Sequence, residues 1–301
     1  MKSTRKAYGE FLSQIGANKD VVVLDADLAT ATKTDMFLKE YPERHIDVGI
    51  AEQDLVGTAC GLALSGKTVF ASTFAIFMAG RAYDQVRNTA AYSHVNVNLC
   101  ATHAGVMVGE DGPTHQCIED VALMNVIPTM KVLSPADDIS TKKILGACLK
   151  EEGPKYIRLG RSDVEEIYTE DAEFKIGGSN TFGDGTDGTV FAYGPTVGIA
   201  LNAQKELKEK GINVRVVDLY SIKPVDRDTI IKCAKETDKL VSIEDHSVIG
   251  GIGSIISNVL CEEYPKKLEK IGINDTFGKS GNWKVVYEHF GLAKENIISK
   301  F

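Results

Sequence analysis

The chain has 301 residues and a net charge of −8, with 34 basic and 42 acidic side chains. This length is enough for two domains of ordinary size or a single large one. No dense lysine and arginine cluster indicates a nucleic-acid surface, and no apolar run is long enough to cross a membrane, so we expect neither partner. The sequence shows no signal peptide and its cysteines are scattered without a paired spacing, which predicts a cytoplasmic protein.

Strand-like and helical patterns alternate along the first half of the chain. The predicted strands span residues 21–24, 69–71, 95–99, 130–133 and 156–159, and the predicted helices span residues 7–15, 52–64, 82–91 and 137–149. Such an alternation is typical of a mostly parallel sheet with helices on both of its faces.

A segment rich in glycine and small polar residues follows, and a second alternation begins after it. The predicted strands of this second part span residues 190–193, 214–217 and 240–243, and its predicted helices span residues 200–210, 226–236 and 255–263. The sequence therefore predicts an α/β protein with two consecutive, mostly parallel sheet domains, residues 1–165 and 189–301, joined by a linker at 166–188.

The richest polar segment is residues 102–116, which contains His103, Asp111 and His115. Three glycines and Pro113 interrupt it, so neither a regular helix nor a regular strand is expected there. Loops that carry proton-transfer and hydrogen-bonding groups on a rigid scaffold are common places for a functional site. A polar turn with no function is the alternative.

Two further segments have candidate site residues. Glu52 lies where a short strand leads into a helix, at the sheet edge where open α/β proteins bind ligands, although a helix dipole also favours a glutamate there. Phe74 and Phe77 are three positions apart and would share one face of a helical turn. They could form an aromatic wall for a planar ligand or simply pack in the core.

Residues 49–53, 73–77 and 102–116 together resemble the transketolase family, in that family's order and spacing. The resemblance runs over essentially the whole chain but covers only the C-terminal half of a full-length transketolase. It implies a pyrimidine-binding-type domain followed by a transketolase C-terminal-type domain. The implied activity is the thiamine diphosphate-dependent transfer of a two-carbon ketol unit from a ketose phosphate to an aldose phosphate, as in the pentose phosphate pathway of carbohydrate metabolism.

The resemblance also implies roles at the cofactor and at the reacting carbon. Glu52 would hydrogen-bond the N1' atom of the cofactor's aminopyrimidine ring, and Phe74 and Phe77 would flank that ring. His115 would face the reacting carbonyl and hydroxyl groups, where an imidazole can transfer a proton near neutral pH. Glu52 and His115 are thus the implied catalytic residues.

The remaining implied roles concern the sugar phosphate. Asp111 would hold the hydroxyl on the C2 side of the donor, and Asp27 would contact a distal hydroxyl. The implied phosphate-binding residues are Arg5, His103 and Arg161, and arginine suits this role because its planar fork binds phosphate oxygens in pairs. Arg158 is an alternative to Arg161.

The diphosphate and metal site is expected elsewhere. Gly183-Asp184-Gly185 and Asn213 mimic the family's diphosphate motif, but no predicted helix begins behind the glycines to receive a diphosphate. We interpret the stretch as a connecting turn and expect no metal site in this chain. A separate N-terminal-type transketolase subunit would then bind the diphosphate and Mg²⁺ or Ca²⁺, most simply in an α2β2 heterotetramer.

Two positions depart from the family pattern and keep alternatives open. Ala31 stands where the family commonly has a serine, and Gly80 stands where it commonly has a tyrosine. Residues 80–86 look more like a deoxyxylulose-phosphate synthase. The alternatives are such a synthase, the β subunit of a 2-oxo acid dehydrogenase E1 component, and a non-catalytic regulatory or scaffold chain.

Overall fold

Parallel strands covered by helices dominate the computed structural model, which describes residues 1–301. The strands are β1 (Val21–Asp25), β2 (His45–Asp47), β3 (Thr68–Phe74), β4 (Val97–Thr102), β5 (Lys131–Leu133), β6 (Lys155–Arg158), β7 (Asn180–Phe182), β8 (Gly188–Ala192), β9 (Val214–Asp218), β10 (Ser221–Lys223), β11 (Lys239–Ser247) and β12 (Leu268–Ile273). The helices are α1 (Thr4–Ile15), α2 (Ala29–Thr32), α3 (Asp35–Glu40), α4 (Glu52–Leu64), α5 (Tyr83–Gln85), α6 (Asp120–Val126), α7 (Asp138–Cys148), α8 (Thr196–Glu209), α9 (Arg227–Glu236), α10 (Ile252–Glu263), α11 (Trp283–His289) and α12 (Lys294–Ile298).

The first sheet has seven strands in the order β10-β5-β6-β4-β3-β1-β2. All its neighbours pair in parallel except β10, which runs antiparallel to β5. Every residue of β1 is buried, as expected for an apolar strand of a parallel sheet that has helices on both faces. Helix α1 packs beside α7, and α4 packs on β3.

The second sheet has five strands in the order β12-β11-β8-β9-β7, and only β7 runs antiparallel to its neighbour. Together the two mostly parallel sheets confirm the predicted fold class. Buried apolar side chains of both sheets, such as Tyr156 and Tyr193, belong to one continuous core. No helix combines the length and apolar character needed to cross a lipid bilayer.

The sequence patterns did not predict β12 or the helices α2, α3, α6, α11 and α12, and three further differences bear on the domain organisation and the site. Strand β7 lies inside the segment 166–188, which was predicted to be a linker. Strand β10 comes from the second part of the chain but completes the first sheet. The segment 82–91, predicted to be one helix, consists of the short α5 and a π-helix over Val86–Tyr92. The domain boundaries at residues 165 and 189 stay a prediction.

Candidate active site

The carboxyl ends of β1, β3, β4 and β6 lie at one edge of the first sheet, because these strands are parallel neighbours. This is the edge at which open α/β sheets bind their ligands. The segments that follow these strands contain the site residues predicted from the sequence, with three exceptions: Phe74 ends β3, Glu52 begins α4 and Arg5 lies in α1.

Glu52 is the first residue of α4, and its side chain is 1% exposed. Nη1 of Arg81 lies 2.9 Å from each carboxylate oxygen of Glu52 and donates to them. The same guanidinium lies 4.4 Å from the centre of the Phe77 ring. Glu52 is therefore a buried acid whose one partner within the chain is a half-exposed arginine.

Arg81, the partner of Glu52, is the last residue of a π-helical turn over Phe77–Arg81. The characteristic bond of this turn is donated by the amide of Ala82 to the carbonyl of Phe77, five positions back, at 3.0 Å. Such turns contain one residue more than an α-helical turn and often occur at functional sites. The side chain of Arg81 reaches Glu52 from the end of this turn.

Aromatic rings of Phe74, Phe77, His103 and His115 lie together at this edge of the sheet, and we call the two phenylalanine rings the aromatic wall. The rings of Phe74 and Phe77 are nearly parallel, with 14° between their planes and 5.8 Å between their centres. His103 stacks on Phe74 at 3.8 Å, and His115 approaches both rings edge-on, at 6.2 and 5.6 Å. The structure thus brings together two predicted aromatic residues and two predicted histidines.

His103 is buried among positive charges. Its Nδ1 lies 2.9 Å from Oγ1 of Thr102, and its Nε2 lies 3.3 Å from Nη1 of Arg5. Burial, followed by the charges of Arg5, Arg161, His115 and Lys33, lowers the pKa of His103 to about 2. The imidazole is therefore neutral near pH 7 and can act as a donor or an acceptor, but it is not a fixed cation.

Arg5 is anchored by carbonyl groups. Its Nε donates to the carbonyl of Arg161 at 2.9 Å, and its Nη1 donates to the carbonyl of Ala31 at 2.7 Å. Burial and the nearby charge of Arg161 lower the pKa of Arg5, so the guanidinium is in an environment that disfavours its charge. An anion placed between these two arginines would relieve that repulsion, which is the property of a phosphate site.

Arg161 also pairs with the loop that follows β4. Its Nη1 donates to the carbonyl of Val108 and lies 3.5 Å from carboxylate oxygens of both Glu110 and Asp111. Asp111, predicted to hold a sugar hydroxyl, is therefore paired with a predicted phosphate-binding residue in this structure. A sugar phosphate that entered would have to compete for one or both of them.

Arg158, the alternative to Arg161, lies in a different environment. It is fully buried, and its Nε donates to Asp120 and its Nη2 to the carbonyl of Asp245, both at 2.8 Å. This pairing ties Arg158 to the interior between the two sheets. Both of these partners lie away from the group formed by Phe74, Phe77, His103 and His115.

Asp27 is held in an exposed turn after β1. Its backbone φ is +59°, and its amide donates to Oδ1 of Asp47 at 2.9 Å. The neighbouring Asp25 is buried and accepts hydrogen bonds from the hydroxyls of Thr32 and Thr34 at 2.7 and 3.1 Å, which fixes the turn. The Asp27 carboxylate is thus presented at the sheet edge, and Asp25 is used to build the turn.

The stretch Gly183–Gly185 forms the turn between β7 and β8. A Cβ atom at Gly185 would overlap the backbone of Asn213, so the turn lies directly against the residue before β9, and no helix begins behind its glycines. No group of three or more histidine, cysteine, aspartate or glutamate side chains is arranged to hold a metal ion.

Sequence reasoning did not assign roles to Arg81, Gln116 or Asp245. Nε2 of Gln116 donates to the carbonyls of Lys279 and Gly109, at 2.8 and 3.3 Å. Arg81 directly follows Gly80, a position that departs from the family pattern, and this departure was the one signal that could have drawn attention to it. No local pattern relates Asp245 to a loop 139 positions away.

Comparison with protein families gives two adjacent matches. Residues 1–166 match the pyrimidine-binding domain of transketolase, and residues 178–297 match the transketolase C-terminal domain. The chain therefore belongs to the transketolase family, as its motifs indicated.

Individual relatives refine this assignment. The chain is 46% identical to a putative transketolase C-terminal section from Methanocaldococcus jannaschii, covering 99% of this chain and 95% of that one. It is 39% identical to one subunit of the apulose-4-phosphate transketolase of Phocaeicola vulgatus, covering 99% and 96%. It is 37% identical to the transketolase of Homo sapiens, but there it covers 98% of this chain and 48% of the relative. The chain thus corresponds to about half of a single-chain transketolase.

A solved structure agrees with these matches. It is described as a split-gene transketolase in the form of an inactive β4 tetramer. It superimposes on this chain with a TM-score of 0.92, at 46% identity, covering 99% of this chain and 97% of the other. These relatives are all described as transketolases, which favours that family over the dehydrogenase subunit and the synthase.

Proposed function

We propose that this chain is one subunit of a two-chain, thiamine diphosphate-dependent transketolase that transfers a two-carbon ketol unit from a ketose phosphate to an aldose phosphate. The observation that carries the proposal is the grouping of the buried Glu52, the parallel rings of Phe74 and Phe77, and His103 and His115 at one sheet edge. Core packing alone does not require an acid and two imidazoles against two aromatic rings.

The residues present fit the pyrimidine ring of the cofactor. A buried carboxyl group can share a proton with a ring nitrogen, and two parallel aromatic rings suit a planar heterocycle. In this structure Arg81 donates to both carboxylate oxygens of Glu52, so its side chain would have to move away before a ring nitrogen could pair with the acid. Bound thiamine diphosphate supplies an electron sink for the carbon–carbon bond that breaks.

The other side chains act on the substrate. His115, at the edge of both aromatic rings, would exchange a proton with the reacting oxygen. Arg5 and Arg161, with neutral His103 between them and the rings, would bind the phosphate, and Asp111 and Asp27 would bind hydroxyl groups. Specificity for a phosphorylated sugar follows from the two arginines, because their repulsion is relieved when an anion binds.

The second subunit would hold the diphosphate and Mg²⁺ or Ca²⁺. Two facts support this: the chain covers 48% of a single-chain relative, and its one Gly-Asp-Gly stretch is a tight turn between strands. We infer an α2β2 assembly, in the cytoplasm and in the pentose phosphate pathway or a related branch of sugar metabolism.

The test is reconstitution of the chain with an N-terminal-type transketolase subunit from the same genome. We expect ketol transfer from a panel of ketose phosphates only when both subunits, thiamine diphosphate and Mg²⁺ are present. Calorimetric titration of this chain alone with cofactor and Mg²⁺ should show no tight binding. Tight binding by the lone chain would contradict the two-subunit proposal.

Glu52→Ala should abolish nearly all turnover while the two subunits still assemble. The matched control is Asp54→Ala, because Asp54 is an exposed acid in the same first turn of α4. If Glu52 served only the helix dipole, both substitutions would have the same small effect, about 0.3–1 kcal/mol of stability. Unchanged turnover in Glu52→Ala would contradict the catalytic role proposed for Glu52.

A further inference from the structure

The loop that contains much of the candidate site, residues 103–116, lies between the two sheets. We call it the site loop. It includes Asp111 and His115, it contacts the aromatic wall on one side, and on the other side it packs against α11 and β11 of the second sheet. No pairing with a neighbouring strand of the first sheet holds its central part, residues 106–112. Its position must therefore depend on other contacts.

Arg161 holds the site loop from the first part of the chain, through the carbonyl of Val108, and Asp245, in β11, holds it from the second sheet. Its Oδ1 accepts a hydrogen bond from the amide of Val106 at 2.8 Å, and its Oδ2 accepts a longer one from the amide of Met107 at 3.4 Å. The hydroxyl of Tyr287 donates to the same Oδ2 at 2.8 Å. A carboxylate suits three converging donors because it accepts at both oxygens and has no hydrogen of its own when ionised.

The backbone of the site loop is shaped for this approach. Gly105 has a φ of +72°, a region that favours glycine, and a Cβ atom there would overlap the Asp245 carboxylate. Asp245 is itself fixed from behind, because its carbonyl accepts a hydrogen bond from Arg158 at 2.8 Å. The contact therefore joins a loop of the first sheet to a rigid, buried point of the second.

Two weaker contacts from the segment before α11 hold the far end of the site loop. Gln116, at the end of the loop, donates to the carbonyl of Lys279 at 2.8 Å, and the hydroxyl of Ser280 donates to the carbonyl of Glu110. These two contacts join neutral groups, an amide and a hydroxyl donating to backbone carbonyls, whereas Asp245 contributes a carboxylate.

We propose that Asp245 is a positioning residue for the transketolase reaction: it holds the site loop so that Asp111 stays beside Arg161 and His115 stays beside the aromatic wall. The second sheet would thus contribute to catalysis without touching substrate. Small displacements of catalytic groups have large effects on rate, so a loop released from this point should lower turnover. The kinetic part of the proposal rests on the proposed function, whereas the ordering of the loop does not.

The test compares amide hydrogen exchange of Val106 and Met107 in the wild-type chain and in Asp245→Ala, measured on the chain in its two-subunit complex. Loss of hydrogen bonds to a charged acceptor should speed exchange at these amides by about tenfold or more. Asp245→Asn keeps one acceptor oxygen and should recover part of the protection. Exchange in β4 should stay as in the wild type.

Asp218→Ala is the matched control. Asp218 is also a fully buried aspartate that accepts a hydrogen bond from a tyrosine, Tyr168, at 2.7 Å, but it does not contact the site loop. It should destabilise the protein without speeding exchange at Val106 and Met107. If Asp245→Ala leaves exchange at these amides unchanged, or if Asp218→Ala speeds it equally, the positioning role is wrong.

Kinetics of the complex complete the test. We expect Asp245→Ala to lower kcat/KM by at least about tenfold, with partial rescue by Asp245→Asn and a much smaller loss in Asp218→Ala. Faster exchange with unchanged kcat/KM would overturn the proposal, because loop order would then not matter for catalysis. Absence of ketol transfer in the wild-type complex would instead overturn the proposed function, and the exchange result would stand independently.

If Asp245→Ala fails to fold, Gly105→Ala tests the same contact from the other side. The added methyl group would push the site loop away from an intact Asp245 carboxylate. Faster exchange at Val106 and Met107, with a loss of kcat/KM, would support the proposal, and wild-type exchange would contradict it.

Discussion

Replacing Arg81 with methionine should make cofactor binding to the two-subunit complex tighter and the isolated chain less stable. Arg81 donates to both oxygens of Glu52 at 2.9 Å and lies over Phe77. The same carboxylate and the same ring are the groups that would receive a pyrimidine. Arg81 therefore competes with the cofactor for Glu52, and cofactor binding must first break this pair.

The size of the effect follows from the contacts that are lost. Hydrogen bonds to a charged group contribute about 1.5–3 kcal/mol, and a cation over an aromatic ring adds about 0.5–1 kcal/mol. The Arg81 side chain is 49% exposed, so solvent screens the pair. We expect a net cost of about 1–2 kcal/mol for displacing Arg81, which corresponds to about 5- to 30-fold in affinity.

Calorimetric titration of the complex with thiamine diphosphate at fixed Mg²⁺ measures this affinity, and urea denaturation of the lone chain measures its stability. Arg87→Met is the control, because Arg87 is an exposed arginine of the same segment that bonds only Asn88. Weaker cofactor binding in Arg81→Met, with wild-type affinity in Arg87→Met, would refute the reasoning. Arg81 would then hold the cofactor instead of competing with it.

Two further predictions concern stability. The pKa of His103 is about 2 in the folded chain, below its ordinary value of 6.5. As the pH drops below 6.5, the unfolded chain binds a proton at this residue that the folded chain does not bind. The folded chain therefore loses stability between about pH 6.5 and 2. His103→Gln should therefore flatten the fall in unfolding free energy from pH 6.5 to 4, by up to about 1.4 kcal/mol per pH unit in urea titrations; an unchanged slope would contradict the burial of a neutral imidazole. Arg158→Met should cost about 3–5 kcal/mol in urea denaturation, because it leaves the buried Asp120 carboxylate without its charged partner and with only the Tyr156 hydroxyl as a donor, and adding Asp120→Asn should restore part of the loss. A loss below about 1 kcal/mol would mean that water reaches the pair.

Much of the first sheet was predictable because a short, continuous apolar run such as that of β1 is typical of a strand buried inside a parallel sheet. Glu52 was predictable for a similar reason, because the change from strand to helix placed it at the ligand-binding edge. Local patterns carry this information within about ten residues. The predictions of β1 and of the start of α4 needed only such a window, and both agree with the structure.

Features that depend on distant partners were not predictable in this way. Strand β10 has three residues, too few for a pattern, and it exists because the edge of β5 offers unpaired backbone groups. The π-helical turn that contains Arg81 has five residues, too few for periodicity to distinguish it from an α-helical turn. The pairing of Arg161 with Asp111 similarly depends on how the site loop folds back.

The same distant contacts mean that the two sheets cannot be treated as independent units. Strand β10 completes the first sheet with residues from the second part of the chain. Lys223, in this strand, donates to the carbonyls of Asn125 and Ile127 at 2.7 and 2.5 Å, at the end of α6. At the other end of α6, its first residue Asp120 accepts a hydrogen bond from Arg158, and Arg158 also donates to the carbonyl of Asp245. Helix α6 is therefore fixed at both ends by contacts that lead into the second part of the chain. Since the site loop comes just before α6, the geometry of the loop depends on distant residues such as Asp245, which lies 139 positions from Val106.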